Sequence, residues 1–197
     1  MVQINEMGDV NMAKKQKKFP EITAIVCADK NYAIGKNGQF LIQIPNDFKR
    51  LQRLSSGGTI IVGRKTFETM QTSKLPKRTF LVISHSAQES ALPEIIKNKV
   101  NFISMDAAKQ WLSQKREEKT QEKIVVAGGG EVFKELLLFC DMLHITKVFK
   151  AFETPDAYFP NIDFDKNWKL DFADDIGTFE DVKYQYRRYR NAHPISS

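Results

Sequence analysis

Histidine, cysteine and long apolar runs are all scarce in this chain. Its 197 residues include three histidines, at 85, 144 and 193, and two cysteines. That leaves almost no material for a zinc site, so no metal is expected. Cys27 and Cys140 each sit inside an apolar, strand-like run. They read as buried free thiols rather than a disulfide, which suits a cytoplasmic protein. No apolar run reaches the roughly 18 residues a membrane span needs, and the N-terminus lacks the apolar core of a secretory signal. A net charge of +6 offers one reading as a basic nucleic-acid-binding module, with Lys14, Lys15, Lys17 and Lys18 in one cluster and Arg187, Arg188 and Arg190 in another. Interleaved exposed aromatics and any module signature are missing, which ranks that reading last.

What is present is a pattern of short buried strands alternating with amphipathic helices. Strands are expected over 22–28, 59–62, 79–83, 100–104, 124–127 and 142–149, then a closing pair over 168–172 and 182–189. Helices are expected over 45–56, 64–70 and 106–115, and again from Val132 to Phe139. The alternation predicts an α/β fold: a single domain with a mostly parallel eight-stranded sheet and helices on both faces. The final pair, with no helix between, predicts an antiparallel C-terminal edge. Residues 1–19 read as a disordered N-terminal extension, 20–191 as the domain and 192–197 as a C-terminal tail. The turn-rich stretch 29–39, with Gly35 and Gly38, is expected to be a mobile loop.

Two places carry chemistry. The first is Lys123–Leu136, where the apolar run Ile124–Ala127 meets Gly128, Gly129 and Gly130 just before a helical stripe begins. Glycines at a strand-to-helix junction leave main-chain N–H groups uncovered, which suits a phosphate or diphosphate. A tight turn without any ligand explains them equally well. The second is Asp47. Ile44, Phe48, Leu51 and Leu54 share one helix face, and the spacing puts Asp47 on it. A carboxylate there either serves the helix N-terminus or waits for a ligand offering paired donors.

Several short stretches then fall together: Ile34-Gly35, Ile44–Phe48, Val62–Glu68, Leu75–Arg78, Ala127–Gly130, Leu143–Thr146 and Tyr158–Pro160. In this order and at these intervals the set resembles dihydrofolate reductase, over about residues 21–190. The resemblance implies hydride transfer from NADPH to C6 of dihydrofolate with protonation at N5. It implies that Asp47 is the acid at the pterin ring and that Thr146 bonds and orients it. One carboxylate can accept the adjacent 2-amino and N3 donors as a fork. Phe48 and Leu51 then become cavity walls, the carbonyls of Ile25 and Ala127 face the pterin edge, and Arg78 grips the glutamate carboxylate. For the cofactor, the resemblance implies a diphosphate site at Gly128, Gly129 and Gly130 with the helix start Glu131, Val132 and Phe133. A second phosphate grip would be Gly63, Arg64, Lys65 and Thr66, with Ser84 and His85 receiving the 2′-phosphate. Ala33, Ile34, Gly35 and Gln39 would belong to a flap over the nicotinamide, with Cys27 beside it. Small-molecule antifolates are the implied inhibitors.

Three positions depart from the family pattern. Ile42 stands in place of a tryptophan that anchors an ordered water, Phe133 in place of a tyrosine, and Glu131 in place of an arginine. These departures keep open a same-fold reductase of another pterin or of a ribosylated pyrimidine. Arg78 argues against it, since a substrate without a carboxylate has no use for that residue.

Overall fold

Short β-branched runs, each closed by a polar or glycine-bearing turn, build the sheet. The computed structural model describes residues 21–85, 98–119 and 121–195. The expected extension over 1–19 lies outside these residues. In chain order the elements are β1 (Ile22–Ala28), β2 (Ala33–Lys36), β3 (Gln39–Phe40), α1 (Pro45–Leu54), β4 (Thr59–Gly63), α2 (Arg64–Thr69), β5 (Thr79–Ile83) and β6 (Val100–Ile103). There follow α3 (Met105–Glu117), β7 (Ile124–Val126), α4 (Gly130–Leu136), β8 (Met142–Val148), β9 (Ala157–Tyr158), β10 (Trp168–Ala173), β11 (Gly177–Phe179) and β12 (Val182–Asn191).

The main sheet runs in the order β10-β12-β8-β1-β7-β4-β5-β6, with β11 paired to β12 at its side. The eight strands of this path are the eight read from the sequence. Every pairing from β8 through β1, β7, β4 and β5 to β6 is parallel. Pairing turns antiparallel at β12, against both β8 and β10. Strands inside the parallel part are covered on both faces, so β4 carries Ile60, Ile61 and Val62 fully buried in succession. Alternate side chains feed two cores. Ala24, Val26 and Ile61 meet Trp111 and Leu112 of α3 and Leu136 of α4 on one face. Ile25, Ile60 and Val62 meet Leu51 of α1 on the other.

Two segments differ from expectation. The stretch 29–39 holds a hairpin rather than a loop without regular structure: β2 pairs antiparallel with β3 and with β9 in a separate three-stranded sheet. Asn37 (φ 52°) and Gly38 (φ 75°) form its two-residue turn, where both central residues need positive φ. Its base is pinned by Asp29, whose carboxylate accepts the N–H groups of Asn31, Ala33 and Phe152. The helix expected to reach Phe139 stops at Leu136 and tightens into a 3₁₀ turn, Leu137–Phe139. Beyond residue 191, Ala192 N–H donates to the Asn167 carbonyl and Ile195 N–H to that of Leu138.

Candidate active site

In a parallel sheet, connections leaving the C-terminal strand ends diverge to opposite faces and open a crevice. Here Gly63–Thr66 follow β4, Ser84 and His85 follow β5, Ser104–Asp106 follow β6 and Ala127–Gly130 follow β7, and all line one cavity of about 1470 Å³. This exceeds the roughly 300–1,000 Å³ usual for one small ligand, which leaves room for two molecules side by side. The hairpin residues Ile34, Gly35, Gly38, Gln39 and Phe40 form one rim.

At one end stands Asp47. α1 begins with Pro45 after an extended Ile44 (φ −77°, ψ 120°), and no side chain caps it. The carboxylate stands in the first turn, on the positive side of the helix dipole, but makes no capping hydrogen bond. Its Oδ1 instead accepts the Thr146 hydroxyl at 2.6 Å. Arg50 Nη1 lies 3.4 Å from the same oxygen and 3.4 Å from Thr146 Oγ1. Among the described residues no hydrogen bond reaches Oδ2, and the side chain keeps 18% exposure toward the cavity it lines. Sheet register explains the placement. Cys27 of β1, Thr146 of β8 and Tyr186 of β12 lie side by side across three strands, beneath α1. Burial pushes the Asp47 carboxyl above its usual range, opposed by the Thr146 hydroxyl and then by Arg50. Burial and then the Asp47 charge push the Cys27 thiol well up, burial does the same to Cys140, and both are free thiols.

The other end is a cradle of bare backbone. Gly128 has φ 101°, and a Cβ on it would lie 2.8 Å from the Phe133 ring. A Cβ on Gly129 would meet Thr66 Oγ1 at 3.0 Å, and one on Gly130 the Tyr158 carbonyl at 2.8 Å. Glycine is thus required for packing, which is the turn explanation. The same packing presents the start of α4, uncapped by any side chain, to the cavity. Gly63 N–H donates to the Gly128 carbonyl at 2.7 Å, bringing the start of α2 alongside. It too lacks a side-chain cap, and exposed Arg64 and Lys65 follow it. Two open helix starts beside two cations suit the phosphates of a dinucleotide such as NADPH.

Every residue singled out from the sequence lines this cavity except Ala33, Arg78 and Thr146. Thr146 sits behind Asp47. Ala33 is fully buried at the start of β2, its carbonyl taking Asp29 N–H. Arg78 is buried, donating to Ser55 Oγ (3.2 Å) and to the carbonyls of Pro76 (2.5 Å) and Gln52 (2.6 Å). Its terminal nitrogens keep further N–H groups beyond these bonds. Sequence reasoning missed Lys49, Gln52 and Lys74 at the cavity mouth, and Arg50 behind the acid. Only Arg50 left a signal, three residues from Asp47 on the same helix. Of the three departures, Ile42 joins a small cluster with Ile44, Val148 and Val182. Phe133 is buried edge-on against Phe159 at 4.8 Å, and Glu131 is exposed. The C-terminal arginines are tied into the sheet surface, Arg188 to Asp171 and Arg187 to Gln185.

The dihydrofolate reductase family matches this chain over residues 21–191. The dihydrofolate reductase of Bacillus subtilis is 29% identical over 167 residues, covering 84% of this chain and 90% of that protein. That of Aedes albopictus is 31% identical over 188 residues, covering 88% and 97%. Among solved structures, the Enterococcus faecalis dihydrofolate reductase complexed with NADP(H) and RAB-propyl superposes with a TM-score of 0.66 at 28% identity. It covers 87% of this chain and 96% of its own.

Proposed function

The chain belongs to the dihydrofolate reductase family, and from that premise we propose how its own residues carry the NADPH-dependent reduction of 7,8-dihydrofolate to tetrahydrofolate. The observation that carries the assignment is the pairing of a sheltered carboxylate with a phosphate cradle in one cavity. Asp47 takes the 2-amino and N3 donors of the pterin, Oδ2 open to the ligand and Oδ1 held by Thr146. Its raised proton affinity helps keep the pterin–acid pair protonated near neutral pH, which favours proton delivery at N5. Bound NADPH supplies the hydride. The starts of α4 and α2 hold its diphosphate, and Lys65 with His85 favours the 2′-phosphate over a bare hydroxyl. The β2–β3 rim shields the reacting atoms from water.

Phe48 and Leu51 flank the ring system. Arg78, with its orientation set by Gln52, Pro76 and Ser55, offers its remaining N–H groups to the glutamate carboxylate. We place the working reductase unit over 20–191 and its action in the cytoplasm, in keeping with the family match and with two cysteines that are free thiols. Mixing the purified protein with NADPH and dihydrofolate should consume the cofactor's absorbance stoichiometrically. Absence of oxidation above the no-folate control would refute the assignment.

A further inference from the structure

Arg50 points away from the cavity, yet it touches the acid that faces it. Its guanidinium carbon lies 3.6 Å from the centroid of the Tyr186 ring, and its side chain is only 14% exposed. Nη1 reaches both Asp47 Oδ1 and Thr146 Oγ1, while Nε is buried without a hydrogen-bond acceptor. Tyr186 is fixed in turn by its hydroxyl, 2.8 Å from His144 Nδ1. A guanidinium only donates, so the Thr146 oxygen must accept from Arg50 and turn its proton toward Asp47. A buried cation with one unfilled donor is costly unless its partners hold it, and a flat aromatic face suits it.

We propose that Arg50, clamped on Tyr186, is a positioning residue for the acid: it sets the direction of the Thr146 hydroxyl and fixes the plane of the carboxylate through Oδ1, so that Oδ2 and the outer edge of Oδ1 face the substrate. This rests on the reading of Asp47 as the substrate's acid. The groups that act directly on Asp47 are Arg50 on its own helix, Thr146 from β8 and Cys27 from β1; behind them, around Arg50, lie Tyr186 and Arg188 from β12, His144 from β8 and Arg53 from α1. Burial and the cations Arg188, Arg50 and Arg53 hold His144 down to about 4, so it is uncharged at neutral pH. Burial raises Cys27 and Tyr186, which stay protonated. Arg50 is therefore the cation in direct contact with the carboxylate, and it opposes the effect of burial.

The test follows the Asp47 carboxyl by carbon-13 NMR in aspartate-labelled protein, its signal assigned by loss in Asp47→Asn. In Arg50→Met the titration midpoint should move to higher pH than in the parent. Arg50→Lys, which keeps charge without the fork, should fall between. Tyr186→Leu, which removes the clamp, should shift the midpoint in the same direction as Arg50→Met. Tyr186→Phe, which keeps the ring, should shift it less. Steady-state rates should show kcat/KM for dihydrofolate falling about tenfold in Arg50→Met. The alkaline limb of kcat should extend upward in pH, since a more proton-avid acid stays protonated longer. An unchanged midpoint in folded Arg50→Met, or in both Arg50→Lys and Tyr186→Leu where Arg50→Met does not fold, would overturn the role. A midpoint that shifts between parent and Arg50→Met, in a parent that never oxidises NADPH, would support the Arg50 contact and sink the reductase reading instead.

Discussion

Replacing Asp47 by Asn separates what this residue does for the ligand from what it costs the fold. Asparagine keeps one acceptor for the Thr146 hydroxyl, now 2.6 Å from Oδ1, so the local packing survives. What changes is the outward atom: an amide NH2 takes the place of Oδ2 and meets a ligand donor head-on. One charge-assisted hydrogen bond is lost and the other weakened, at about 1.5–3 kcal/mol each. Together with the lost acid function this predicts a fall in kcat/KM of about 100- to 10,000-fold, read from NADPH oxidation at neutral pH. Stability should move the other way. Burial raises the folded-state pKa of this carboxyl above its unfolded value near 3.8, so the ionised acid weighs against folding at neutral pH. The variant escapes that cost and should melt at or above the parent at neutral pH, the difference closing as pH falls below the unfolded value. Turnover within tenfold of the parent would remove Asp47 from the chemistry, whatever the melting point.

Other perturbations reach the same arrangement from different sides. Thr146→Val keeps the β-branched shape that suits β8 and deletes only the hydroxyl donor. It should lower kcat/KM about tenfold, corresponding to about 1–2 kcal/mol, with a melting curve close to the parent's. Gly130→Ala puts a methyl 2.8 Å from the Tyr158 backbone carbonyl, forcing α4 and β9 apart. Fluorescence titration should show NADPH affinity falling at least about tenfold, and the fold should lose about 1–3 kcal/mol. Lys147 is buried on the opposite sheet face, its Nζ lying 3.1 Å from the Tyr32 ring centroid with no hydrogen-bond acceptor. Burial pulls it from 10.5 down to about 8. The unfolded chain then holds the extra proton between about pH 8 and 10.5, so the parent gains stability as pH rises through that window. Lys147→Met should melt higher than the parent at pH 7 by a few degrees, and thermal scans should show the gap closing across the window.

The parallel sheet was legible because its strands announce themselves by composition. Triplets such as Ile60–Val62 and Ile124–Val126 are apolar throughout, as strands covered on both faces must be. The hairpin at β2–β3 was hidden for the opposite reason. Its strands are four and two residues long, and β3 is exposed, so neither shows an apolar period. Asn37-Gly38 was a strong two-residue turn signal, but its partner strand β9 lies at residue 157, beyond any local window. The end of α4 was overrun because Leu136, Leu137 and Phe139 stay buried through the change from α to 3₁₀ geometry. A burial pattern cannot mark a boundary it continues across.

The site divides along similar lines. Asp47 was conspicuous as a charge on an apolar face, and the glycines as a run between a strand and a helix. Arg50 showed only its spacing of three residues from Asp47, because its second partner, Tyr186, is brought to it by the antiparallel register that sets β12 against β8. The three family departures are explained by the same distinction between packing and contact. Phe133 fills the space a Gly128 Cβ would need and is itself wedged against Phe159, so the ring is held without a hydroxyl. Ile42 fills a small apolar cluster beside Val148, at the end of the strand that carries Thr146. Glu131 is exposed to solvent, where water weakens its charge and salt screens it over about 8–10 Å, and the backbone N–H groups beneath it remain the nearer influence on an anion. Each departure changes a surface of the cavity while leaving the Asp47–Thr146 bond and the glycine cradle in place, which is why the chemistry can persist across them.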